Sequence, residues 1–209
     1  MNNSLTYRER MRHIIDYAYT LFCNQVAGGL IEVENEVSMQ LFLSDILLQL
    51  GRLNVFSADE NFNMRLEKKL QLSIPTSKSK NGKARIDIWM ELGEDKDNTC
   101  AAAIELKYLK KSVNAAVTDD RHAVYKDLEN LEQYADLRSD LIICEIIYSD
   151  NSNFAESKGT KFSIADDTVL SSYDGDSTYG RITLVKRYHP INWDRLGDHN
   201  FLKITPIEN

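Results

Sequence analysis

The sequence is poor in the residues that staple or punctuate a chain. Its 209 residues include three cysteines, three prolines and nine glycines. Cys23, Cys100 and Cys144 stand far apart in the chain. An odd, unpaired set of this kind argues against a disulfide framework and against a zinc site built on close cysteine pairs. It fits reduced thiols in a cytoplasmic protein. No apolar run reaches the 18 residues of a membrane span, so no membrane partner is expected. The apolar stretch that follows residues 1–13 is interrupted by Asp16, which makes it a poor signal-peptide core. Repeats and low-complexity tracts are absent as well, which excludes solenoids, fibres and wholly disordered chains. Positive charge is also scarce: Lys and Arg number 25 against 32 Asp and Glu, a net of −7. That balance speaks at first sight against a nucleic-acid binder.

What is present is an ordered alternation of helical and strand patterns. Residues 5–26 carry Ile14, Ile15, Tyr17, Ala18, Leu21 and Phe22 at helical spacing. Gly28 and Gly29 end that pattern. A second helix is predicted over 35–50, with Asn35 as N-cap, Gly51 as C-cap and an apolar set of Val37, Leu41, Phe42, Ile46, Leu47 and Leu50. Residues 65–74 read as a first strand, and 75–82 form a turn-rich loop. Residues 84–92 alternate, with Ile86, Ile88 and Met90 on one side and Arg85, Asp87 and Trp89 on the other. Residues 99–109 read as a third strand with Ala101, Ala103, Glu105 and Lys107 on one face. A helix follows over 119–137, its stripe formed by Val124, Leu128, Leu131 and Ala135. His122, Lys126 and Gln133 lie opposite that stripe, while Arg121 and Asp127 flank it. The run 141–148 is almost wholly apolar, as in a strand covered on both faces. Residues 149–180 read mostly as loop, with further strands at 181–188 and 201–204. The expected fold is α/β: a helix over 1–29, a core over 30–148 and a loop-rich C-terminal extension over 149–209, all in one domain.

Chemistry concentrates on the second and third strands. Alternation sets Glu105 and Lys107 side by side, and pairing of the two strands brings Asp87 to the same patch. Buried or crowded charges are penalised unless they bind something. A divalent cation relieves two repelling carboxylates and prefers oxygen ligands. A lysine beside a metal-bound water can orient it and offset charge on a phosphate. The implied reaction is phosphodiester hydrolysis.

Asp87 followed by Glu105-Leu106-Lys107, on the second and third strands of a helix–strand–strand–strand–helix–strand run, resembles the PD-(D/E)XK nuclease superfamily over residues 30–148. Ile86 stands where the name has a proline. The resemblance implies a restriction-endonuclease-like αβββαβ core with a mixed central sheet flanked by helices. It implies that Asp87 and Glu105, with the Leu106 carbonyl, hold Mg²⁺ (Mn²⁺ as a substitute), and that Lys107 handles the water and the phosphate. Glu36 matches the acidic residue that many members carry on the preceding helix, although it also belongs to the acidic run Glu32, Glu34, Glu36. The implied function is a metal-dependent DNA endonuclease of the restriction, phage-defence or DNA-processing type, often a homodimer. The alternatives are a module of the same fold that binds nucleic acid or protein without cutting, and a subunit that cuts only when a partner activates it.

Other motifs are weaker. Gly175 to Gly180 has P-loop spacing, but Arg181 and Ile182 replace the Lys-[Ser/Thr] pair. His189, Asn192 and His199 lack the acidic or cysteine partners of a metal site. The charge balance, by contrast, changes on inspection. Residues 65–126 hold 13 Lys and Arg against 9 Asp and Glu, so the acidic surplus lies elsewhere. Lys78, Lys80, Lys83 and Arg85 in one segment, Lys107, Lys110 and Lys111 in another, and Arg121 and Lys126 on the helix are the expected phosphate contacts.

Overall fold

The computed structural model describes residues 5–95, 98–110, 117–138, 140–156 and 161–208. The first two helices, α1 (Tyr7–Ala27) and α2 (Glu36–Leu53), both begin with capping boxes. In α1 the Thr6 side chain accepts the Glu9 N–H while the Glu9 carboxylate accepts the Thr6 N–H. In α2 Asn35 and Ser38 exchange the equivalent bonds. Each box satisfies N–H groups that a helix start leaves open.

Three strands follow: β1 (Asn61–Gln71), β2 (Lys83–Gly93) and β3 (Thr99–Leu109). Then come α3 (Val117–Leu137), β4 (Ile142–Ser149), a short α4 (Asn153–Glu156), β5 (Asp194–Leu196) and β6 (His199–Ile204). The strands form one six-stranded sheet in the order β1-β2-β3-β4-β6-β5. Only β3 and β4 run parallel, joined through α3; the other neighbours are antiparallel. The sheet is therefore mixed, with helices on both faces. Among the described residues no helix is long and apolar enough to cross a membrane.

Alternation along the central strands divides the core into two layers. Cys100, Ala102, Ile104 and Leu106 pack with α1 and α2. Ala101, Ala103 and Leu109 pack with α3 and the C-terminal segment. Glu105 and Lys107, having the parity of Ala101 and Ala103, face α3. Every residue of β4 is buried, as its apolar run predicts.

Several expectations are corrected. Gly51 lies inside α2, which continues to Leu53. Its missing Cβ makes room for the Phe62 ring, whose carbons lie 2.3 Å from where a Cβ would stand. The buried face of α2 carries Met39, Leu43, Ile46 and Leu47, while Val37 and Leu41 are exposed. The N-cap is Asn35, as expected, but the face that packs is that of Met39, Leu43 and Leu47 rather than that of Val37 and Leu41. Strand β1 starts at Asn61, earlier than its pattern suggests. Residues 181–188 form no strand and contribute only single bridges, Tyr173 to Ile182 and Tyr188 to Pro206. The segment after 149 is not an appendage. It adds β5 and β6 to the sheet and buries Phe162, Ile164, Ile191 and Trp193 against α3.

The sheet has one irregularity, and it lies at Asp87. Ile86 and Ile88 pack in opposite layers, although strict alternation puts them on one face. The change of side occurs between them. In β1 the facing residue, Glu67, adopts a positive φ of 55° and makes no ladder pair with Asp87. The β2–β3 ladder also stops at Ile88 and Ile104, one residue short of Asp87 and Glu105. The strands part there.

Candidate functional site

The parting of β2 from β3 leaves backbone groups without ladder partners, and side chains take them up. The Asp87 carboxylate accepts the Leu106 N–H at 2.7 Å. The Gln40 side chain on α2 donates to the Asp87 carbonyl at 2.9 Å and to Glu67 at 3.1 Å. Asp87 is thereby held in the opening, half-buried, beside the two residues that continue β3.

Glu105 is buried on the α3 face, with Tyr134 donating to Oε1 at 3.2 Å and the Lys78 ammonium 3.3 Å from Oε2. Lys107, one step further along β3, places Nζ 3.1 Å from Asp127 of α3 and 3.4 Å from Glu36 of α2. Its ammonium bridges the two helical layers at the end of the sheet. Glu36 also lies 3.5 Å from the Tyr108 N–H. The structure thus brings Asp87, Glu105, Lys107 and Glu36 to one end of β3.

Three further charged residues belong to the same cluster. Asp127, 1% exposed, binds Lys78 through Oδ1 and Lys107 through Oδ2. Sequence reasoning places it only at the flank of the α3 stripe. Glu145 of β4 stands directly across from Glu105 in the parallel register, on the same face and fully buried. Among the described residues neither of its carboxylate oxygens has a hydrogen-bond partner. Lys78 reaches in from the loop between β1 and β2.

The cluster's own side chains therefore bring five carboxylates, Glu36, Asp87, Glu105, Asp127 and Glu145, against two ammonium groups. The protonation equilibria show the imbalance. Burial pushes the Asp87 carboxyl up to about 6, with the Leu106 N–H and Lys78 opposing the shift. Burial raises Glu105 well above the usual carboxylate range, partly offset by Lys78. Burial, reinforced by Asp127, does the same to Glu145. For Lys78 burial works against the charge, but Asp127 and Glu105 outweigh it and hold the pKa above the usual lysine value. Lys107 follows the same pattern, held up by Asp127 and Glu36.

A surplus of buried oxygen ligands with an unpartnered carboxylate is the chemistry that a hard divalent cation satisfies. The donor types fit Mg²⁺ or Mn²⁺. As arranged, however, no three His, Cys, Asp or Glu side chains among the described residues converge closely enough to hold a metal ion. The carboxylates are instead spaced by the two lysines.

The expected phosphate contacts divide. Lys83, Arg85 and Lys110 are exposed, and Arg85 pairs with Glu67 at 3.0 Å. Lys126 is half-buried on α3. Lys111 lies outside the described residues. Arg121 is a correction: its guanidinium is buried, donates to the Asn153 carbonyl at 3.2 Å and lies over the Phe154 ring. It anchors α4 to α3, because the stripe edge it occupies faces the C-terminal segment. His122, expected on the solvent face, stacks instead against Phe162 and Tyr179. The backbone N–H of Leu106 serves Asp87, and its side chain packs beneath α1 and α2.

Comparisons of the chain with family models, with curated proteins and with solved structures found no match.

Proposed function

We propose that the chain is a Mg²⁺-dependent nuclease with a restriction-endonuclease-like core, cutting DNA. The observation that carries this reading is the parting of β2 from β3 at Asp87 and Glu105, with Lys107 beside them. A sheet that opens between two acidic residues, and buries further carboxylates beneath the opening, is shaped for a function rather than for stability. Asp87, Glu105 and the Leu106 carbonyl would hold the ion, with Glu36 at the solvent edge. When bound, it would supply a Lewis acid for the phosphorus and an activated water.

The remaining work falls to the chain's own groups. Lys107, held charged by Asp127 and Glu36, is placed to orient a water and to offset negative charge on the phosphate. Asp127 fixes that ammonium from the α3 side. Exposed Lys80, Lys83 and Lys110 would supply phosphate contacts. A homodimer that cuts both strands, acting in restriction or phage defence, is the biological setting we propose.

A second reading is a module of the same fold that binds without cutting. The spacing of the carboxylates by Lys78 and Lys107 favours it. One experiment separates the two. Purified protein is incubated with plasmid, linear duplex and single-stranded DNA in Mg²⁺, Mn²⁺ or EDTA, beside the Asp87→Asn and Lys107→Ala variants. The nuclease reading expects metal-dependent cleavage of DNA by the wild type and a loss of at least a hundredfold in both variants, with melting curves retained. Full cleavage by Asp87→Asn would sink it.

A further inference from the structure

Lys78 belongs to a loop that sequence reasoning treats as a solvent-exposed phosphate arm. The loop is instead strapped to α3. Thr76 donates to the Asn130 side chain, and the Ser77 N–H donates to Glu129 at 2.8 Å. Asn130 in turn donates to the Ser79 hydroxyl at 3.3 Å, and the Ser79 N–H returns to the Thr76 hydroxyl at 2.9 Å. Thr76, Ser79, Glu129 and Asn130 are all buried. Burying this many polar groups in a connecting loop is unusual, since loops normally leave such groups to water. The effect is to hold the Lys78 backbone in one place above the carboxylate cluster.

From that place the Lys78 ammonium lies between Glu105 Oε2 and Asp127 Oδ1. Its side chain keeps 37% of its surface exposed, against 18% for Lys107. Lys107 is held on two sides, by α2 and by α3. Lys78 is held on the protein side only, by a flexible four-carbon stem. The ammonium can therefore leave the cluster while the strap stays docked.

We propose that Lys78 is the site's built-in counter-ion: lying between Glu105 and Asp127, its ammonium occupies the Glu105 carboxylate in place of a divalent cation, and would swing towards the incoming phosphodiester when Glu105 takes up the ion. The inference rests on the nuclease reading. The unpartnered Glu145 supports it independently, because one ammonium does not neutralise what lies beneath it. A divalent ion on Glu105 carries twice the charge, so it competes effectively against a tethered monovalent one. Once displaced, Lys78 adds a second positive group on the side from which substrate arrives.

The test uses the full-length protein and two variants, Lys78→Met, which keeps the stem and removes the charge, and Lys78→Arg, which keeps the charge. Mn²⁺ affinity is measured by titration calorimetry, duplex cleavage at saturating Mn²⁺ by gel, and folding by thermal melts. Lys78→Met is expected to bind Mn²⁺ about tenfold tighter, from loss of a competing charge, and to cleave at least tenfold more slowly. Lys78→Arg should bind like the wild type. If the wild type cleaves DNA but Lys78→Met binds Mn²⁺ no more tightly, the counter-ion role is overturned and the nuclease reading stands. Tighter binding with unchanged cleavage overturns the role at the phosphate. If the wild type neither binds Mn²⁺ nor cleaves, the nuclease reading falls; Mn²⁺ binding by Lys78→Met alone would still uphold the counter-ion, and binding by neither protein would remove it too.

Discussion

Glu145→Gln should make the metal-free protein more stable at neutral pH, and the gain should vanish in acid. Glu145 is fully buried, and among the described residues neither carboxylate oxygen has a hydrogen-bond partner. Its carboxyl is raised well above the ordinary value of 4.5 by burial and by Asp127. The sign follows from linkage. A carboxyl that holds its proton more tightly in the folded state favours folding below its unfolded pKa. That contribution is lost as pH rises through the folded pKa. A buried polar group left without partners costs about 1–3 kcal/mol, and a charged one more. Lys107 and Lys78 lower the cost by favouring the charged form, so a gain of about 1–3 kcal/mol is the working figure. For a chain of this length that is about 3–10 °C in melting temperature. Thermal melts of wild type and Glu145→Gln from pH 4.5 to pH 8, with EDTA present, read the effect directly. The gap should open steadily above pH 5. A variant no more stable than wild type at pH 7, or a gap independent of pH, would refute the reasoning, because it would mean that the carboxylate is compensated in the folded state.

Two further outcomes rest on particular contacts. Gly51→Ala should destabilise the chain by up to about 2 kcal/mol, because the added Cβ meets the Phe62 ring and overpacking costs about 1–3 kcal/mol. This outweighs the roughly 1 kcal/mol that alanine gains over glycine within a helix, and urea denaturation would measure the balance. Mn²⁺ binding should strengthen from pH 5 to pH 7 and then level, since the ion must displace a proton from Asp87, whose carboxyl is pushed up to about 6. Calorimetry at pH 5, 6 and 7 checks this, and an affinity flat across that range would contradict a site built on Asp87.

The elements legible in the sequence are those whose periodicity is set by one neighbour. The alternation around Glu105 and Lys107 locates β3 to the residue, because Ala101, Ala103 and their neighbours pack between two layers without interruption. The apolar run of β4 likewise reads as a strand covered on both faces, and it is. Periodicity fails where long-range packing decides. Gly51 reads as a helix end on local grounds, but a ring arriving from β1 makes it an interior position. Val37 and Leu41 read as core, yet tertiary packing sets Met39, Leu43 and Leu47 against the rest of the core and leaves those two outward. The start of β1 escapes a local reading because residues 61–64 sit on an edge strand, where burial is partial and alternation faint. The C-terminal strands depend on β6 finding β4, a pairing across about fifty residues that no local pattern announces.

The site divides along the same line. Glu105 and Lys107 are legible because strand alternation sets them side by side, whereas Asp87, a polar residue legible on its strand, reaches them where the alternation of β2 breaks. Asp127 and Glu145 are not legible, because their roles arise from contacts between elements. A signal for Glu145 is nevertheless present: a single acidic residue inside an otherwise apolar run needs a reason to be there. With the parallel pairing of β3 and β4 assumed, its register against Glu105 follows. Lys78 carries no such signal, since a lysine in a Ser- and Gly-containing loop reads as solvated. What makes it part of the site is the docking of its neighbours on Glu129 and Asn130. The kink at Asp87 has the same origin, for Ile86 and Ile88 look alike in sequence and are sent to opposite layers only because β2 turns away from β3. The chemistry-bearing residues are thus set by local pattern, while the charge that surrounds them, which decides whether a cation enters, is set by tertiary packing.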